Sequence, residues 1–521
     1  MECFGKSHVA FKYSNTLKIT SSKLYQMKRI TIVISILIIA HSSLAQFKTP
    51  RSNEPFLNKS QVGAKAMPDQ IAPITAPFDM PQLEKPKFPA YTQNITSIGA
   101  KPEKKATRNI QNAIDKVSER GGGTVVIPAG IWKTGRINLK SNVNLHLQEG
   151  AELHIGGEIE DFLPAVFTRV EGIEVTSSGG FIYAHNAENI AITGKGKIVG
   201  PEMDAPVRTA ESPSGVVEVA IDQSLPAKDR IYDGYNGRFF YKPKSICLVE
   251  CKNVLIEGIT IERSVTWNVT PIYCDGVIIR GITVNSVGIP TGDGIDIESS
   301  RNVLIEYSTL NNGDDCFTMK SGRDKDGIRV NRPTENVVVR YCLSEAGHGA
   351  ITTGSETAGW IRNIYLHDCI FDGTDRGFRF KTRRPRGGGV EDIFYERVVM
   401  NISKHALEWD LLGSRTYVGE LADRLPKRPI NELTPVIRNI FIRDVKMITN
   451  NNFIVAKCIP EIPLTNVVME NIDVTCGESI LLRDVKDFVI RNSIIRSKGQ
   501  NMEIVEGQNV SFDNVKMVYQ E

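Results

Sequence analysis

Aromatic residues make up only 7% of the 521-residue chain, beside 43 glycines. That poverty of large rings argues against several compact cores and for one long, repetitive β architecture. No stretch is long enough to span a bilayer as a helix, since the apolar run from Ile30 to Ala40 is too short. A Leu-x-x-Leu-x-Leu frame and a propeller-length blade period are also missing, which sets aside leucine-rich and propeller solenoids. Charge of one sign is scarce too. The formal net charge is +3, and nothing global points to nucleic acid or to a membrane surface.

What is present begins with Met27-Lys28-Arg29, the apolar run, and the small-residue exit Ser43-Leu44-Ala45. This is the pattern of a secretory signal peptide cleaved after Ala45. Residues 1–26 are then expected to be an upstream extension, with Met27 the true start, and 27–45 the signal. Position 46 is Gln, not Cys, so a lipid anchor is not expected. Loss of six cations and one anion within residues 1–45 turns +3 into −2. The expected location is outside the cytoplasm, periplasmic or extracellular. Eight of nine cysteines remain, an even number compatible with export. However, Cys247 and Cys274, then Cys316, Cys342 and Cys369, recur at roughly 26 to 27 residues, a coil-like spacing. They read as small buried residues stacked in neighbouring coils, with a disulfide as the alternative.

Residues 46–93 carry eight prolines and no periodicity, the mark of a linker lying extended along the domain. Asn94–Ala100 reads as a first strand. Ile110, Ile114 and Val117 at helical spacing predict a short amphipathic helix over Thr107–Glu119, ending near Gly121-Gly122-Gly123. Thr124–Pro128 returns to strand. A helix here would cap the open end of a β stack and protect its edge.

From Asn142 a unit of the form Asn-Val-x-Ile recurs, at Asn142, Asn189, Asn253, Gly276, Asn302 and Asn336, and again at Asn363, Asp392, Asn439, Asn466, Asp487 and Asn509. Most copies stand roughly 21 to 29 residues apart. Each unit is short and β-branched with a turn-forming residue at its start, and none can bury its apolar face alone. Stacking them gives an all-β fold, a single right-handed parallel β-helix over residues 94–521 with an N-terminal capping helix. Polar clusters at equivalent points of successive coils then line one surface. The long interruption from Arg208 to Lys244 is expected to wall one end of a cleft there.

Four such clusters carry chemistry: Thr291-Gly292-Asp293-Gly294-Ile295-Asp296, Gly313-Asp314-Asp315-Cys316, Gly347-His348-Gly349 and Arg379-Phe380-Lys381. Hydrolysing a glycosidic bond with inversion needs one acid to protonate the leaving oxygen and carboxylates to deprotonate a water, roughly 6.5 to 9.5 Å away. Asp293 and the Asp314-Asp315 pair on consecutive coils supply such a set. Mutual repulsion raises the pKa of at least one of them, which keeps a proton available. His348 between glycines has room to approach an acid or a ligand. Arg379 and Lys381 share a strand face and suit a carboxylate.

In this order, on this scaffold, the clusters resemble family 28 of the glycoside hydrolases, the polygalacturonases, whose motifs run Asn-Thr-Asp, Gly-Asp-Asp, Gly-His-Gly and Arg-Ile-Lys. The resemblance covers roughly Thr96 to Glu521 and is most specific from Lys244 to Lys381. It implies a pectin-lyase-like solenoid, with Asp314 as general acid, Asp293 and Asp315 sharing activation of the water, and His348 supporting the acid. Arg379 and Lys381 would bind a galacturonate carboxylate, with Asp296 and Lys320 as further candidate substrate contacts. No metal or organic cofactor is implied. The partner would be a pectic oligo- or polysaccharide, with no nucleic acid, and the protein a monomer.

Two departures stand out. Thr291-Gly292 replaces the Asn-Thr pair, removing an amide that would contact sugar, and Phe380 replaces Ile. The basic segment Gly322–Pro333 resembles exo-acting or rhamnogalacturonan-directed members, which block one end of the cleft. Trp267, Tyr273 and Trp360 are candidate sugar platforms or packing residues. The competing readings are a β-helix lyase, needing a Lys or Arg base and usually calcium, and a non-catalytic glycan-binding solenoid.

Overall fold

The computed structural model describes residue 47 and residues 54–209, 217–236 and 238–520. The expected upstream extension and signal peptide lie outside them. Thr49–Glu521 forms one compact unit, and 32 of the strands among the described residues join one parallel sheet, two others forming a separate antiparallel hairpin. It is the parallel β-helix that the repeats predict.

A typical coil lays down three strands, as in Asp275–Arg280, Thr283–Asn285 and Ile295–Glu298. The next coil repeats them as Arg301–Glu306, Thr309–Asn311 and Phe317–Lys320. Like residues face like: Val277 pairs with Val303, Val284 with Leu310, and Ile295 with Phe317. All six side chains are fully buried, so the core is a column of stacked aliphatic and aromatic residues. Alternation along each strand sends the intervening side chains outward.

The repeat residue marks one corner of every coil. All twelve, from Asn142 to Asn509, have φ between 51° and 72°, the left-handed region that Asn, Asp and Gly tolerate best. Their amides also bond along the stack: Asn336 Nδ2 donates to Asn302 Oδ1 at 3.2 Å, and Asn363 Nδ2 to Asn336 Oδ1 at 3.0 Å. The sequence repeat therefore records a backbone requirement and a side-chain ladder together.

Helix Thr107–Glu119 lies where the spacing places it, with Ile110, Ala113, Ile114 and Val117 buried. The expected strand at 94–100 is instead Thr92–Asn94 followed by a 3-10 turn, Ile95–Ile98. Asn94 ends the strand because its Oδ1 accepts from Thr96 N at 2.9 Å, offering the backbone a turn.

The described part of the proline-rich segment runs along the solenoid, as expected, and is packed on it as a strap. Val62 and Ile74 are buried. Arg280 Nη2 donates to Pro68 O at 2.6 Å and Arg340 Nη2 to Ala72 O at 2.7 Å. These strap carbonyls belong to no strand ladder, and buried arginines supply the donors.

All eight described cysteines are buried and free. Cys274 stacks with Cys251, not with Cys247, which joins a separate cluster with Tyr183 and Ile272.

Candidate active site

The catalytic-type clusters occupy another corner of the coil, the turn into the third strand. Three such turns stack directly. Gly294 N donates to Asp315 O at 2.9 Å, Cys316 N to Gly349 O at 2.8 Å, and Ala350 N to Arg376 O at 2.8 Å. Asp293, the Asp314-Asp315 pair, His348 and Arg376 thus arrive from consecutive coils. Beneath them buried polar side chains fix the first turn. Ser286 Oγ donates to Gly292 O at 2.7 Å, Asn312 Nδ2 to Ser286 Oγ at 2.9 Å, and Asn268 Nδ2 to Asp293 O at 2.8 Å. Gly349 makes room for the acids: a Cβ there would stand 2.6 Å from Asp315 Oδ1.

Asp293, Asp314 and Asp315 each place a carboxylate oxygen within 4.8 Å of the others. The scaffold brings them together, since neighbouring coils are only about 4.8 Å apart. Such a trio could also hold a cation, but two neighbouring cations already take Asp315. Arg379 Nη1 lies 3.1 Å from its Oδ1 and Lys381 Nζ 3.1 Å from its Oδ2.

These charges separate the three acids. Burial opposes ionisation of Asp315, but Lys381, Arg379 and Lys320 outweigh it and hold the carboxyl far below the usual range. Burial raises Asp293 well above that range, helped by the charges of Asp296 and Asp314. Burial and then Asp315 raise Asp314. One acid is therefore a fixed anion, and two are inclined to carry a proton. Burial, then Arg379 and Arg376, lower His348 to about 4, so its ring is neutral near pH 7.

Asp293, Asp314, His348, Arg379, Lys381 and Lys320 all line one cleft of about 490 Å³. Lys381 keeps a third of its side chain exposed there. Asp315 is buried behind Arg379 and Lys381. Asp296 does not line the cleft, contrary to expectation. It is fully buried, accepting from Thr318 Oγ1 and lying 3.8 Å from Lys320 Nζ. Its outward strand position is covered, and burial, partly offset by Lys320 and Thr318, pushes it up to about 7. Lys320 is largely committed as well, 3.2 Å from Glu356 Oε2 and 4.6 Å from the Trp267 ring centroid.

The described residues of the 208–244 interruption do not line the cleft. Ile221 and Tyr241 pack on a hairpin, Val166–Val170 with Ile173–Ser177, and Arg230 pairs with Asp326 at 2.8 Å. The hairpin tip supplies the wall: Glu171 Oε2 lies 2.8 Å from Arg323 Nη2, which also lies 2.7 Å from Glu356 Oε1. Tyr417, half exposed, also lines the cleft, with the Arg383 guanidinium 4.5 Å from its ring centroid. Trp267 lines the cleft. Tyr273 and Trp360 do not line it. Tyr273 is packed under Arg169 and Arg332, and Trp360 stands near Arg438.

Glu171, Glu356, Glu408 and Tyr417 were not singled out from sequence. Glu408 sits one coil beyond Arg379 in direct register, so extending the repeat spacing would have found it. Glu171 meets Arg323 only through the hairpin, and no local signal marks it.

A parallel β-helix carrying an aspartate trio, one acid pinned as an anion, in an open cleft with cationic walls is the architecture of a polysaccharide-cleaving glycosidase. The comparisons with known proteins agree. Residues 236–486 match the model of Glycosyl hydrolases family 28. A "Probable polygalacturonase" of Vitis vinifera is 28% identical over 71% of this chain and 70% of its own length. An "Exo-poly-alpha-D-galacturonosidase" of Dickeya chrysanthemi is 26% identical over 60% of this chain and 56% of its own. The crystal structure of a hyperthermoactive exopolygalacturonase from Thermotoga maritima superposes with a TM-score of 0.66, at 29% identity, covering 84% of this chain and 94% of that one. The family's model covers just under half of the chain, and with these relatives it makes the protein a glycosidase of the polygalacturonase type.

Proposed function

We propose that this protein, exported from the cytoplasm, removes galacturonate from the end of pectic chains with inversion at the anomeric carbon. The observation that carries this reading is the split among the three acids, with Asp315 ionised between Arg379 and Lys381 beside two carboxyls that tend to keep a proton. Asp314 is the donor. Its Oδ1 accepts from Asp315 N at 2.9 Å, which orients the group, and it is the least buried of the three. It protonates the glycosidic oxygen as the bond to the anomeric carbon breaks. A water held by Asp293 and Asp315 attacks that carbon and passes one proton to the ionised carboxylate of Asp315. Both oxygens of Asp315 are tied to cations, which suits holding a water better than attacking a sugar, and so inversion is favoured over a covalent intermediate.

End-directed cleavage is supported by the wall that Glu171, Arg323 and Glu356 raise at one side of the acids. It is also supported by the exo-acting names of the Dickeya and Thermotoga relatives. Export rests on the signal-like residues 27–45.

The test uses an aryl galacturonide with a good leaving group beside homogalacturonan and rhamnogalacturonan oligomers. Asp314→Asn should lose the oligomers yet keep turnover of the aryl glycoside, whereas Asp293→Asn and Asp315→Asn should lose both. Equal loss on both substrates would remove Asp314 from the acid role. Release of monomer alone with an inverted anomer is expected, and a ladder of mixed products would refute end-directed action.

A further inference from the structure

His348 is bracketed at both ring nitrogens. Nε2 lies 3.1 Å from Arg376 Nη1, and Nδ1 lies 3.5 Å from Asp375 Oδ2. A guanidinium can only donate, so Nε2 must accept, and the one proton of the neutral ring then sits on Nδ1 facing Asp375. Both partners are themselves held. Arg376 Nε lies 2.8 Å from Glu408 Oε1, and Glu408 also stands 3.7 Å from Arg379 Nε. Asp375 accepts from Ser403 Oγ at 2.8 Å and Lys404 Nζ at 2.7 Å.

We propose that Arg376, oriented by Glu408, is a positioning residue that locks His348 as the neutral Nδ1–H tautomer, so that the imidazole takes no part in proton transfer. The ring then serves as a fixed wall of the cleft, and its backbone N donates to Asp314 O at 2.9 Å, tying the pair's turn to the next coil. Arg379 and Lys381 face it from the following strand, Asp314 and Asp315 from the preceding coil, and Glu408, His405 and Lys404 from the coil beyond. Burial and the nearest cations, Arg379 and Arg376, already lower its pKa to about 4, in the same direction as the bracket. A charged imidazole would compete with Arg379 and Lys381 for Asp315 and change how the acids share their proton. Arg376 prevents this by occupying the nitrogen that would accept it.

The mechanistic role rests on the hydrolase reading above, while the tautomer does not. The full mature chain, 15N-labelled at histidine and free of substrate, is titrated by NMR from pH 5 to 8. Wild type should show His348 Nδ1 protonated and Nε2 bare throughout. Arg376→Met should shift the proton to Nε2 and raise the ring pKa by about 1–2 pH units, while Arg376→Lys keeps Nε2 bare. On a cleavable oligomer, Arg376→Met should lower kcat about 10- to 100-fold with KM within about twofold, and move the acid limb of the pH profile. Wild-type His348 protonated at Nε2, or an unchanged tautomer in Arg376→Met, overturns the proposal. If the tautomers behave as described while no pectic oligomer is cleaved, the proposed substrate fails and the lock stands.

Discussion

Two corners of the same coil obey opposite rules. At the repeat corner, every coil places an Asn, Asp or Gly in the left-handed conformation, and the amides satisfy one another down the stack. At the turn into the third strand, successive coils place an acid, an acid pair, a histidine and an arginine, and each is satisfied by something different. The first corner is a periodic solution to a backbone problem. The second spends the same periodicity on bringing three carboxylates within 4.8 Å of each other. A solenoid can thus vary one edge freely, because the other edge and the core keep the coils in register.

That contrast can be broken at either corner. The largest effect is expected from Asp314→Asn, which should cost turnover of oligomers about 10²- to 10⁴-fold, the span of general acid catalysis. Oligomer binding should be kept, as measured by calorimetry. Lys381→Met comes next. Asp315 loses a cation and its carboxyl rises toward the ordinary range. Activity at pH 4 should fall more steeply than at pH 7, because Asp315 must be ionised to hold the water. A pH profile that keeps its shape would count against the pinned anion.

At the repeat corner, Asn336→Ala should leave kcat unchanged while lowering stability by about 2 kcal/mol, from left-handed strain and broken ladder bonds. Asn336→Gly should cost less, since glycine tolerates the same φ. Denaturant midpoints distinguish the two. Asp296→Asn should have the smallest effect and the clearest sign. Its folded pKa, up to about 7, lies above the unfolded value. Wild-type stability from this group is therefore full below about pH 4 and declines as pH rises through 7. The variant should flatten that decline, seen in Tm against pH.

The sequence made the periodic corner and the acids readable for the same reason. Asn before Val-x-Ile reports a left-handed turn wherever it occurs, and clusters about one coil apart must share a face. The capping helix at Thr107–Glu119 was readable from apolar spacing and the glycines after it. Asp296 was misplaced because strand alternation tells which face a residue takes but not whether another segment covers that face. The wall was misplaced on 208–244 because Glu171 and Arg323 lie 152 positions apart and meet only through hairpin packing. The strap was read as lying along the domain, but its docking points were not legible because its prolines suppress the alternation that would reveal them. Its anchors, Arg280 and Arg340, stand more than two hundred positions away.

That strap also imposes an order of events. Glu54 receives its hydrogen bond from Arg397, 343 positions later, and Lys59 pairs with Glu345 and Asp372. Strap residues, made before those coils, therefore have no seat until most of the solenoid has been wound. The belt fastens last, backwards over finished coils, so truncating it should slow or weaken closure of the folded state without altering how the rungs themselves are built.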